Sequence, residues 1–63
     1  MTMIGAKFFA HDGHIYFCDS IDSNRGYWMT RVDAPLERRQ DEDGPWRRNI
    51  SERAIGRTFK RIG

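Results

Sequence analysis

The chain has eight Val, Ile and Leu residues and one cysteine with which to close a core, against eight aromatic rings, in 63 residues. A chain this short buries a small share of its surface and is marginal as an independent fold. One cysteine cannot form an internal disulfide, so no covalent staple makes up the deficit. The core must therefore be built on rings, and rings beside β-branched neighbours favour strands. There is room for one domain, residues 1–63, and none for a linker to a second.

The composition excludes several classes. No apolar run approaches the roughly 20 residues of a membrane span. Lys7 is the lone early basic residue, and no long apolar region leads to a small-residue cleavage site, so no secretory signal is read. A secreted domain of this size would carry several cysteines. The expectation is a reducing, cytoplasmic location. Mean hydropathy is −0.79 and 32% of residues are charged, yet the aromatics recur too regularly for a disordered chain.

The first half reads as strands. Met3–Ala10 is a first strand, closed by the turn signal His11-Asp12-Gly13. His14–Ile21 is a second, rich in β-branched and aromatic residues. Asp22 to Gly26 is another turn cluster, and Tyr27–Asp33 a third strand. Period-2 alternation places Ile15, Phe17 and Ile21 on one face, and Trp28, Thr30 and Val32 on one face, as the sets that line the core. Tyr16 and Tyr27 then point outward beside Cys18 and Met29. Ala34–Pro45, with two prolines and six charges, reads as a long charged loop.

The C-terminal third carries helix signals. Trp46–Ile50 reads as a short fourth strand. Ser51 suits an N-cap, and Ile50 with Ile55 makes a hydrophobic staple. Ile55, Phe59 and Ile62 share one side of a helical wheel, with Arg53, Arg57 and Lys60 opposite. Gly56 inside such a helix costs about 1 kcal/mol relative to Ala. The expected fold is α+β: a three- to four-stranded antiparallel β-meander with one C-terminal amphipathic helix packed on it. Its parts are a meander (1–33), the loop (34–45), and a short strand plus basic helix (46–63).

Charge is unevenly spread. Residues 1–43 hold five basic and eight acidic residues, whereas residues 44–63 hold six basic residues and Glu52 alone. Asymmetry of this kind points to an acidic partner; the alternative is an intramolecular match between the halves.

Candidate chemistry is sparse. His11, His14 and Cys18 have ligand-type side chains, but structural zinc takes four ligands in paired elements. With one cysteine and histidines flanking a turn, no metal or cofactor is expected. Cys18 lacks a base within reach: His14 stands four strand residues away, about 13 Å. Asp41, Glu42 and Asp43 read as a solvated run rather than as an acid and base pair. The expectation is therefore a non-enzymatic binding protein.

The basic segment carries the functional signal. Arg47, Arg48, Arg53, Arg57, Lys60 and Arg61 offer fork-shaped or point-charge donors to phosphate, and Tyr16, Tyr27 and Trp46 could stack on unpaired bases. The favoured partner is nucleic acid or a nucleoprotein surface. The alternative is a stoichiometric inhibitor that occludes a protein surface through aromatics and arginines. That alternative is similar in size and lack of motifs to phage and mobile-element accessory proteins, anti-CRISPR proteins among them. No membrane is expected as a partner, and an uncovered sheet edge allows a homodimer.

Overall fold

A computed structural model describes residues 3–22, 24, 26–42 and 44–63. Ser23 and Arg25 of the second expected turn, and Asp43 of the acidic run, lie outside them. Five strands form: β1 (Lys7–Ala10), β2 (Ile15–Asp22), β3 (Gly26–Arg31), β4 (Arg47–Ile50) and β5 (Phe59–Arg61). They make one antiparallel sheet in the order β4-β3-β2-β1-β5. Two single 3-10 turns, Leu36–Arg38 and Glu52–Ala54, lie in the connections.

The first hairpin follows its turn signal. Gly13 adopts φ +89°, and its N–H donates to the Ala10 carbonyl at 3.0 Å, while the Ala10 N–H donates to the His14 carbonyl at 2.9 Å. Asp12 locks the turn by accepting the His14 backbone N–H at 2.9 Å and the Tyr16 hydroxyl at 2.8 Å.

The expected C-terminal amphipathic helix does not form, and the fold is an all-β sheet of five strands rather than α+β with three to four. Ser51 is extended (φ −69°, ψ 155°) and makes no side-chain cap. Helical backbone lasts one turn, because Ile55 is extended and Gly56 sits at φ +90°. A left-handed glycine ends a helix where a right-handed residue would continue it. Beyond it, Phe59 pairs with Ala10, Lys60 with Phe9 and Arg61 with Phe8. Two forces favour this outcome. A lone three-turn helix containing Gly56 and Thr58 is unstable in water, and a fifth strand pairs the otherwise open edge of β1. The sheet's outer edges are then β4 and β5, each short and carrying two basic residues, a composition that resists edge-to-edge pairing.

The core is a ring cluster, as the composition demands, but its face is the opposite of the one alternation suggests. Ala6, Phe8, Ala10, Tyr16, Cys18, Met29 and Phe59 form it, with Tyr27, Ile50 and Ile55 packed against it. Tyr16 and Phe59 meet edge to face, centroids 5.1 Å apart. Ile15 and Phe17 lie on the sheet's opposite face instead, as do Trp28 and Thr30, the latter buried there, and the expected core residue Val32 is exposed. The pairing register adds a second departure from the expected grouping. A β-bulge between Cys18 and Ser20 places Asp19 as an extra residue, which shifts the parity of β2. Ile21 consequently no longer shares a face with Ile15 and Phe17. Met3, like Ile55, reaches the cluster from outside the strands. Ile50 and Phe59 stand on the two edge strands, so the cluster spans the width of the sheet.

Candidate functional site

The outer surface divides into two halves with different chemistry. Over β2, β3 and β4 it is closed by an ion-pair network. Arg47 grips Asp19 in fork geometry, Nε to Oδ2 at 3.0 Å and Nη2 to Oδ1 at 2.8 Å. Its Nη1 donates to the Asp41 carbonyl at 3.0 Å. The guanidinium lies 4.4 Å from the Trp28 ring centre, and the hydroxyl of buried Thr30 donates to Asp19. Burial pushes the Asp19 carboxyl up, but donors from Arg47, Thr30 and Ser20 outweigh it and hold the group below the ordinary carboxylate range. Arg47 is therefore a structural cation, not one available to a partner.

A second cluster lies at the hairpin end of the sheet. Asp12, His14, Tyr16, Arg31, Gly44, Pro45 and Arg48 line an open cavity of about 520 Å³. Arg31 makes a two-pronged pair with Asp33, at 2.9 and 2.8 Å, and stacks 4.7 Å above Trp46. Tyr16 is 1% exposed. Burial pushes its phenol pKa up, and the Asp12 carboxylate it donates to pushes it further. Two carboxylates, Asp12 and Asp33, thus oppose the two arginines here, and an added anion gains little net charge.

Tyr16 cannot serve as a stacking ring, contrary to the sequence expectation, because it is a core residue whose hydroxyl is engaged. Tyr27 packs against the core, and Trp46 lies beneath Arg31. All three anticipated aromatics are at least partly buried. The exposed ring is Phe9, 47% accessible, which the sequence reading left unassigned inside the first strand. The Phe8-Phe9 pair held the signal, since adjacent strand residues point to opposite faces and one of two neighbouring rings must point out.

Over β5, β1 and β2 the outer surface is open. Phe9 stands opposite Ile15 on β2 and Lys60 on β5. One pleat along, Lys7 stands opposite Phe17, and Ile62 lies beside it, its N–H donating to the Lys7 carbonyl at 2.8 Å. A depression of about 250 Å³ opens beside Phe9, lined by Ala10, His11, Arg57, Thr58 and Lys60 as well. Among the described residues no carboxylate lines it.

The basic C-terminal residues are consequently not one helix face. Arg57 and Lys60 meet at the depression. Arg53 is exposed on the Glu52–Ala54 turn, Arg48 lines the Asp12 cavity, and exposed Arg61 donates from Nε to the Gly63 carbonyl at 3.3 Å. Among the described residues the ion pairs are Arg31–Asp33, Arg38–Asp41 and Arg47–Asp19. Three acids of the first two-thirds are thus matched by arginines at positions 31–47, and Arg48, Arg53, Arg57, Lys60 and Arg61 enter none of these pairs.

His11 and His14 flank the turn, both exposed. Cys18 is buried in the core, where burial and the neighbouring Asp19 push its thiol up and away from the thiolate. Among the described residues no group of three or more His, Cys, Asp or Glu side chains is placed to hold a metal ion, and no helix is long and apolar enough to cross a membrane. Neither protein-family models, nor curated proteins, nor solved structures give a match to this chain.

Proposed function

We propose that this is a non-enzymatic nucleic-acid-binding protein whose basic C-terminal segment contacts phosphates. The observation that supports it best is the depression bordered by His11, Arg57 and Lys60, with no carboxylate on its wall among the described residues. The internal pairing of Asp19, Asp33 and Asp41 supports it too, because it mutes three of the nine acids that would repel a phosphate backbone. Within residues 48–61 five basic residues stand outside these pairs against Glu52 alone. A cytoplasmic location suits such a partner and a chain whose one cysteine is buried and free.

The test is a fluorescence-anisotropy titration with labelled DNA and RNA at about 50 and 200 mM salt. Binding should weaken by an order of magnitude or more across that range. The combined variant Arg53→Ala, Arg57→Ala, Lys60→Ala should bind at least tenfold more weakly at low salt. Its salt dependence should flatten by about 0.7 to 1 in log–log slope per lost contact. Absence of binding by the wild-type chain at low salt, or a triple variant that binds like wild type, refutes the reading.

Occlusion of a protein surface is the second reading, and one observation favours it. Leu36 is 80% exposed at the start of its 3-10 turn, an apolar side chain of the kind an interface would cover. A partner of that class would bind with little salt dependence and lose affinity on Leu36→Ala.

A further inference from the structure

We infer that the strand surface of β5, β1 and β2 binds single-stranded nucleic acid, with Phe9 as the ring on which an unpaired base stacks. This rests on the nucleic-acid reading above and specifies its substrate.

Phe9 and its neighbours Ile15 and Ile62 are 47%, 37% and 56% exposed, on the one half of the outer surface that no network covers. Directly opposite side chains on adjacent strands stand about 4.5–5.5 Å apart, so Lys60 lies alongside the Phe9 ring. Lys7 is two residues back on the same face. Arg57 and His11 line the same depression as Lys60, on the β5 side of the ring. An exposed ring with Lys60 and Arg57 along its β5 side and Lys7 one pleat back, with no acid among these positions, is an arrangement that stacks a base while its phosphates run along the charged flank. At about 250 Å³ the depression is smaller than the roughly 300 Å³ at which drug-sized pockets begin. It therefore suits one planar group rather than a whole small-molecule ligand.

A duplex fits less well. Its bases are already stacked face to face and offer Phe9 no free surface, so it would use only the cations. The cavity containing Arg31 and Arg48 is a weaker candidate for the same strand, since Asp12 lines it and Asp33 occupies Arg31.

The experiment compares an oligouridine and an oligothymidine of about ten nucleotides with a duplex of equal length. Binding is measured by anisotropy at low salt for wild type, Phe9→Ala and Phe9→Trp. Wild type should prefer the single strands. Phe9→Ala should weaken single-strand binding about 5- to 100-fold and leave duplex binding within twofold. Phe9→Trp should retain the affinity, and its added fluorescence should be quenched by the bound strand.

Phe9 is exposed, so both variants should fold, which far-UV circular dichroism checks. Equal single-strand affinity for Phe9→Ala and wild type overturns the stacking inference while leaving the phosphate-contact reading in place. Failure of wild type to bind any of the three overturns that reading as well. A wild-type dimer that Phe9→Ala converts to a monomer in sedimentation overturns the inference in favour of a second copy of the chain on this surface.

Discussion

Phe8→Ala should leave the chain largely unfolded at 25 °C, while Phe9→Ala, one residue along, should change its stability by less than about 1 kcal/mol. Phe8 is wholly buried and belongs to the ring cluster that every strand helps to build. Removing a buried phenyl group costs about 3–5 kcal/mol. A domain of this length has only about 3–9 kcal/mol in total. Few other side chains could refill the space, because the aliphatic residues are scarce and several of them, Ile15, Ile21, Leu36 and Ile62, lie outside the core. Urea denaturation followed by tryptophan fluorescence measures both variants. Equal effects at the two positions would mean that the assignment of inner and outer faces is wrong.

Gly26→Ala should destabilise the fold by about 2–4 kcal/mol. Gly26 opens β3 at φ +122°, and a Cβ built there would lie 2.4 Å from the Ile50 carbonyl oxygen and 3.1 Å from the Ser51 Cα. Both obstacles are backbone atoms of β4 and its exit, so neither can turn aside as a long side chain would. The substitution must either push β4 away from β3 or force residue 26 out of its turn. Gly13→Ala offers a comparison. It carries the same positive-φ strain, but its Cβ meets nothing within 4 Å. Thermal unfolding should rank Gly26→Ala well below Gly13→Ala. A Gly26→Ala protein as stable as Gly13→Ala would contradict the close approach of β4.

How far the sequence reveals this molecule depends on which forces are local. Asp12-Gly13 dictates its hairpin by its own backbone preferences, and the strand content of residues 7–31 follows from rings and β-branched side chains. Which face of β2 becomes the core is not a local matter. Alternation groups residues but does not say which group is inside, and the bulge at Asp19 breaks the grouping halfway along. The C-terminal segment shows the same limit. Ile55, Phe59 and Ile62 satisfy a helical spacing, but Phe59 gains more by meeting Tyr16 across the sheet, and Gly56 breaks the helix after one turn.

The candidate site divides likewise. The excess of cations in residues 44–63 is legible by counting. That Arg47 is held by Asp19, 28 positions away in the chain, is not, because ion pairing across a sheet depends on register. The exposure of Phe9 is hidden for the same reason, since it follows from Phe8 being inside.

The most direct measurement is amide chemical-shift mapping of the isotope-labelled protein against an oligouridine of about ten nucleotides at low salt. Binding across the open half of the sheet should shift the amides of Lys7 to His11, of Ile15 to Phe17 and of Arg57 to Ile62, and leave β4 and the 3-10 turn at Leu36–Arg38 unmoved. Shifts confined to that turn, or to the cavity around Asp12 and Arg48, would contradict the account, as would a spectrum that the oligonucleotide does not change.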